Sequence, residues 1–153
     1  MTLYVLALLI GVVAGLRTMT APAAASWAAY LGLAPVGGTP LAFMGAMVTP
    51  WIFTVLALGE LVADQLPSTP SRKVPVQFGG RIVSGALSGA VIGAAGGALV
   101  IGLVLGVVGA VIGTLGGYEM RRRLAALFGR DLPAALIEDF MAVAAAFLIV
   151  KAL

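Results

Sequence analysis

The chain has 153 residues, of which 61% are hydrophobic and only 10% are charged, and its net charge is +3. Soluble domains carry about 25% charged residues, so this chain has too few charges to cover a water-facing surface. Its mean hydropathy of +1.14 instead predicts a single transmembrane domain over residues 1–153. Because cysteine and histidine are absent, disulfides, haem ligation and the usual zinc or copper sites are excluded. We expect no cofactor and no bound metal.

The first part of the chain predicts two apolar segments separated by an arginine. Thr2 to Leu16 would form a helix of about 22 Å, short of a hydrocarbon core of roughly 30 Å, and Arg17 follows it. We expect a membrane span rather than a cleaved signal, because no charged region precedes it. Thr18 to Ala34 is either a short span or a half-helix that dips into the membrane.

Longer apolar segments follow. Leu41 to Leu66 contains Pro50, which should kink or break a helix. The uncharged stretch 82–117 would be about 54 Å long as one helix, so we expect two spans joined at Gly96-Gly97. A last span is predicted from Ala134 to Leu153.

Two polar stretches, residues 67–81 and 118–133, are predicted to be basic loops. Two spans separate them, so they should lie on the same face of the membrane, and by the positive-inside rule that face is cytoplasmic. The predicted architecture is an all-α polytopic bundle of five or six segments. The basic residues expected to anchor it to lipid are Arg72, Lys73, Arg121, Arg122 and Arg123. Their position at helix ends explains the positive charge without nucleic acid as a partner.

Glycines recur at four-residue intervals, which builds a groove where a second helix can approach closely. The glycines in this pattern are Gly11, Gly15, Gly85, Gly89, Gly93, Gly97, Gly109, Gly113 and Gly117. Tight packing within the bundle or across a homodimer explains the spacing, and helices that slide during transport are the alternative. Residues 11–17 can also be aligned with residues 113–119, which predicts a possible inverted internal repeat.

A few ionisable side chains are candidates for a substrate or ion site. Glu60 and Asp64 are four residues apart and share one helix face, where two carboxylates require a cation, a proton or an arginine between them. Arg17 could bind an anion, neutralise Glu60 or reach lipid phosphates. Glu138 and Asp139 are interpreted either as caps near the start of the last helix or as cation or proton ligands. No catalytic constellation is present, so we expect no enzyme.

Three blocks of residues resemble a known family. They are Gly15-Leu16-Arg17 with Pro22, the stretch from Glu60 through Asp64-Gln65-Leu66-Pro67 to Arg81, and Glu138-Asp139. With these blocks, the chain resembles the bacterial membrane proteins grouped as domain of unknown function 4126 (DUF4126). The resemblance implies a fold and a location, the bacterial inner membrane, rather than an activity.

The leading functional prediction is a small transporter or channel for a small ion or solute. Intramembrane carboxylates would bind a cation or proton, and Arg17 would serve as counter-charge or anion site. Because a 15.4 kDa chain offers little room for an enclosed path, we expect a homodimer among membrane lipids. The alternative is a non-transporting scaffold that organises lipids or partner proteins through its glycine-rich helix faces.

Overall fold

The computed structural model describes residues 2–66 and 74–153, and it confirms the all-α class for them. Arg72 and Lys73, two of the predicted anchors, lie outside the described residues. The helices are α1 (Thr2–Leu16), α2 (Thr20–Tyr30), a 3-10 helix (Ala42–Gly45), α3 (Val48–Ala63), α4 (Pro75–Ala95), α5 (Leu99–Phe128) and α6 (Asp131–Lys151).

Three helices, α4, α5 and α6, are long and apolar enough to cross a membrane. The apolar helices α1 and α3 are shorter, with 15 and 16 residues. Large hydrophobic side chains cover much of the exterior; Val76 and Phe140, for example, are 82% and 75% exposed. Such a surface is costly in water and suits a lipid environment.

The centre of the bundle is formed by α1, α4 and α5, whose backbones come into close contact. A Cβ at any of seven predicted packing glycines would come within 3.0 Å of a neighbouring helix: Gly11, Gly15, Gly85, Gly89, Gly93, Gly109 and Gly113. Only residues without a side chain allow this approach. Two further glycines of α5, Gly102 and Gly106, complete the interface from the other side, and the sequence pattern did not single them out. The glycine faces therefore meet each other within one chain.

The uncharged stretch divides where the sequence predicted. α4 ends at Ala95 and α5 begins at Leu99, so the expected break at Gly96-Gly97 is confirmed. Gly97 differs from the other predicted packing glycines, because its φ of +69° places it in the turn and open space surrounds it. Only glycine adopts this conformation without strain. Gly117 is buried on α5.

The stretch from Leu41 to Leu66 is divided as expected, but just before Pro50 rather than at it, because a 3-10 helix ends at Gly45 and α3 begins at Val48. The proline therefore lies in the first turn of α3, where no backbone N–H is needed. The two predicted basic loops are partly wrong, since α4 already begins at Pro75, within residues 67–81. Residues 118–133 are not an open loop, since α5 continues to Phe128 and α6 begins at Asp131. The good helix formers among residues 121–128 let α5 extend beyond its apolar part, and Gly129, with φ +66°, makes the turn.

The helices α1 and α2 form a hairpin. Near the end of α1, Gly15 lies beside Arg81 of α4, and at its beginning Leu3 lies beside Gly96, so α1 runs antiparallel to α4. The helix α2 runs back along α4 towards the start of α1, because its Ala28 shares a buried apolar cluster with Val91 near the end of α4. The turn of this hairpin, residues 17–19, therefore lies inside the bundle rather than at its end.

Candidate functional site at the α1–α2 turn

The turn between α1 and α2 lies beside the end of α3 and part of the way along α4. It is about 22 Å from the start of α1 and level with Arg81, which is roughly 9 Å along α4 from Pro75. At 11 residues, α2 is about 16 Å long, too short to cross a bilayer alone. The backbone of this turn is thus non-helical and packed among other helices, so its polar groups need partners from elsewhere in the chain.

Arg17 is the largest fully buried side chain of the described residues, with 0% exposure. Its guanidinium group forms ion pairs with Asp64 at the end of α3 and with Asp139 of α6. A third carboxylate, Glu138, lies 3.6 Å from Arg17 Nη2 and is itself 0% exposed. One arginine therefore joins α1 to two other helices through buried charges.

The two acidic residues of α6 are not caps. The helix begins at Asp131, so Glu138 and Asp139 lie two turns inside it, where the helix dipole has little effect. Their position instead places both carboxylates beside Arg17. Of the two interpretations from the sequence, helix capping is wrong because α6 starts earlier than the sequence suggested.

Glu60 contacts backbone rather than Arg17. Its two carboxylate oxygens accept hydrogen bonds from the backbone N–H groups of Thr18 and Met19, both at 2.7 Å. Both N–H groups lie in the turn directly before α2, where the helix offers them no acceptor, and Met19 provides no side-chain cap. Glu60 therefore caps α2 from a different helix, and its negative charge suits the positive end of the dipole.

Arg81 on α4 binds the backbone at the end of α1, as Glu60 binds the backbone before α2. The sequence had assigned Arg81 no role. It is 3% exposed, and its Nη1 donates to the carbonyl oxygens of Gly15 and Leu16 at 2.5 and 2.9 Å. Ser84, one turn further along α4, donates to the carbonyl oxygen of Thr18. One feature of the sequence could have pointed to Arg81: it is a lone arginine directly before a 36-residue stretch without charges.

Gln65 is a second residue that sequence reasoning did not assign to the site. It follows α3, and its Nε2 donates to Asp139 Oδ2 at 2.8 Å. Its Oε1 is buried without a hydrogen-bond partner. The amide thus extends the polar contact between the end of α3 and α6.

Arg121 was predicted as a lipid anchor, but it contacts the same group of residues. Its side chain is 18% exposed, and Nη1 lies 3.6 Å from Glu138 Oε2, while Nη2 lies 3.4 Å from the carbonyl oxygen of Asp64. It also pairs with Asp131 at the start of α6.

The neighbouring Arg122 and Arg123 are exposed and pair with Glu119 on the same helix. Exposed ion pairs of this kind contribute little to stability. Of the three consecutive arginines, only Arg121 therefore reaches the buried charges.

Together, Arg17, Arg121, Asp64, Glu138 and Asp139 form what we call the charged cluster. Within it, three carboxylates face two guanidinium groups. Among the described residues, no group of three or more histidine, cysteine, aspartate or glutamate side chains is arranged to hold a metal ion.

Comparison with protein-family models, with curated proteins and with solved structures finds no match to this chain.

Proposed function

We propose that this protein is a small membrane transporter or channel, and that the charged cluster is the site that binds its ion or solute. One observation carries the proposal: Arg17 is fully buried at the break between α1 and α2 and pairs with carboxylates from the end of α3 and from α6. A charge in the middle of a membrane helix costs roughly 2.5–3.5 kcal/mol on insertion scales. Arg17 and Glu138, both fully buried, would each carry such a cost in a membrane.

The hairpin of α1 and α2 adds support. In many transporters, helices that stop at mid-membrane depth bring backbone groups and charges to the substrate site. Here the turn at 17–19 lies beside the cluster, and the short α2 returns towards the side from which α1 came. Carboxylates are the groups that bind protons and cations in membrane proteins, so we propose a proton or a monovalent cation rather than an anion.

Several further features belong to this proposal. We infer that α1 to α6 supply five or six membrane segments, with α2 as a half-span, in a bacterial inner membrane with the basic ends cytoplasmic. The inverted repeat and membership of DUF4126 are part of the same hypothesis. A homodimer is proposed because one small bundle leaves little room for a path, and the exposed apolar faces of α3 and α6 are available for lipid or a second copy.

Ion flux into liposomes tests the proposal. Purified protein is reconstituted with a pH-sensitive dye inside, and a potassium gradient with valinomycin sets the membrane potential. We expect proton flux above that of empty vesicles, and we expect Arg17→Gln and Asp139→Asn to abolish it. Sodium flux is measured in parallel as the alternative cation.

Arg122→Gln is the matched control, because it removes an exposed arginine that pairs with Glu119 outside the cluster. It should keep full flux. If Arg17→Gln and Asp139→Asn yield folded protein with unchanged flux, or if wild-type vesicles pass neither ion, the proposal is refuted for these cations.

A static scaffold is the second candidate. It is favoured by the direct pairing of Arg17 with Asp64 and Asp139, which would also join helices permanently. The sequence suggested a scaffold because glycine-rich helix faces could bind partners. That argument is weaker now, because the glycine faces of α1, α4 and α5 pack against each other. Loss of folded yield without loss of flux in Arg17→Gln would favour this role.

A further inference from the structure

The backbone break at the α1–α2 turn is satisfied almost entirely by side chains of other helices. The carbonyl oxygens of Gly15 and Leu16 accept from Arg81, and that of Thr18 accepts from Ser84. On the other side of the break, Glu60 accepts hydrogen bonds from the N–H groups of Thr18 and Met19, which directly precede α2. In lipid each of these groups would otherwise remain unpaired at high cost.

The two charges are matched to the two helix ends. The C-terminal end of α1 is the negative end of its dipole, and there the positively charged Arg81 binds; the N-terminal end of α2 is positive, and there Glu60 binds. Both residues thus contact backbone, whereas Arg17 contacts carboxylates. Glu60, which the sequence grouped with the ion ligands, belongs to the support of the turn.

We propose that Arg81 is the positioning residue of the charged cluster. It fixes the last two carbonyl groups of α1, and the next residue in the chain is Arg17. A small rotation at Leu16 would therefore move the guanidinium group away from Asp64 and Asp139. Any effect of Arg81 on transport rests on the proposed function. Its effect on the position of the turn does not, and can be tested separately.

Disulfide cross-linking measures that position directly, because the chain contains no cysteine. A Cβ at Gly80 would lie 4.0 Å from Thr18 Cγ2, so the two positions are neighbours and Thr18→Cys with Gly80→Cys is the test pair. The control pair is Leu3→Cys and Gly96→Cys, which joins the same two helices at their other ends, where Leu3 Cδ1 lies 2.8 Å from a Cβ at Gly96. Cross-linking rates are measured in liposomes under a mild oxidant.

Arg81→Gln should slow cross-linking at the turn by about tenfold, the shift expected when a charge-assisted hydrogen bond is lost, and should leave the control pair unchanged. Arg81→Lys, which keeps the charge and the donors, should restore most of the rate. Ser84→Ala removes only the bond to Thr18 and is a milder variant should Arg81→Gln fold poorly. We expect it to slow only the turn pair, by a smaller factor.

Unchanged cross-linking at the turn in Arg81→Gln and Ser84→Ala would overturn the proposal. Equal losses at both pairs would also overturn it, because Arg81 would then support the whole bundle rather than the turn. Flux separates this proposal from the proposed function. If turn cross-linking falls in Arg81→Gln but proton flux persists, positioning stands and the transport role of the cluster fails; if both fall and Arg81→Lys restores both, each is supported.

Discussion

Gly106 provides the sharpest test of how this bundle is held together. It lies on α5 where α1 and α4 meet it, and a Cβ there would lie 2.8 Å from the carbonyl carbon of Gly85 and 3.0 Å from the Cα of Gly89. Both obstacles are backbone, so Gly106→Ala cannot be accommodated by a rotamer change. The helices must separate by several tenths of an ångström to restore ordinary contact.

The expected cost can be worked from two opposing effects. Overpacking a close interface destabilises by roughly 1–3 kcal/mol, and backbone obstacles on α4 favour the upper end. Alanine recovers about 1 kcal/mol through its higher helix propensity. We therefore expect Gly106→Ala to lower the free energy of unfolding by about 2 kcal/mol.

Gly116→Ala is the matched control on the same helix. No atom lies within 4 Å of a Cβ at Gly116, so only the propensity effect acts, and we expect a gain of roughly 0.5–1 kcal/mol. Unfolding in mixed micelles, followed by circular dichroism as denaturing detergent is added, measures both variants. If Gly106→Ala proves as stable as Gly116→Ala, close glycine packing does not hold α1, α4 and α5 together.

Two further variants test other parts of the fold. Arg17→Gln leaves buried carboxylates without their cation, and breaking such a pair costs about 3–5 kcal/mol; the same micelle assay should show it, and adding Asp139→Asn should recover part of the loss. Equal stability of Arg17→Gln and the exposed Arg122→Gln would contradict the buried ion pairs. Gly129→Ala places a Cβ at φ +66° in otherwise open space, so strain alone should lower stability by about 1–2 kcal/mol, and a lower unfolding midpoint checks it.

The helical, membrane-compatible character of the chain follows from the sequence because it depends on local properties. The division of residues 82–117 at Gly96-Gly97 was predictable from length, since one helix would far exceed a bilayer. The four-residue glycine spacing likewise indicated close helix contact. Composition and spacing are sufficient for such inferences because each residue contributes independently of what lies opposite.

The partners of each group were decided only by the tertiary structure. The sequence singled out Arg17, Asp64, Glu138 and Asp139, but their separation in the chain could not show that the three carboxylates converge on one guanidinium group. Glu60 was grouped with them because it shares a helix face with Asp64, yet it caps α2.

Arg81 and Gln65 were missed because their roles depend on backbone and side chains more than 60 residues away along the chain. The sequence by itself determined a charge-poor helical bundle with few, isolated ionisable residues. Tertiary packing decided which of them meet at the α1–α2 turn, since a buried charge or an open backbone group is tolerated only where another part of the chain supplies its partner.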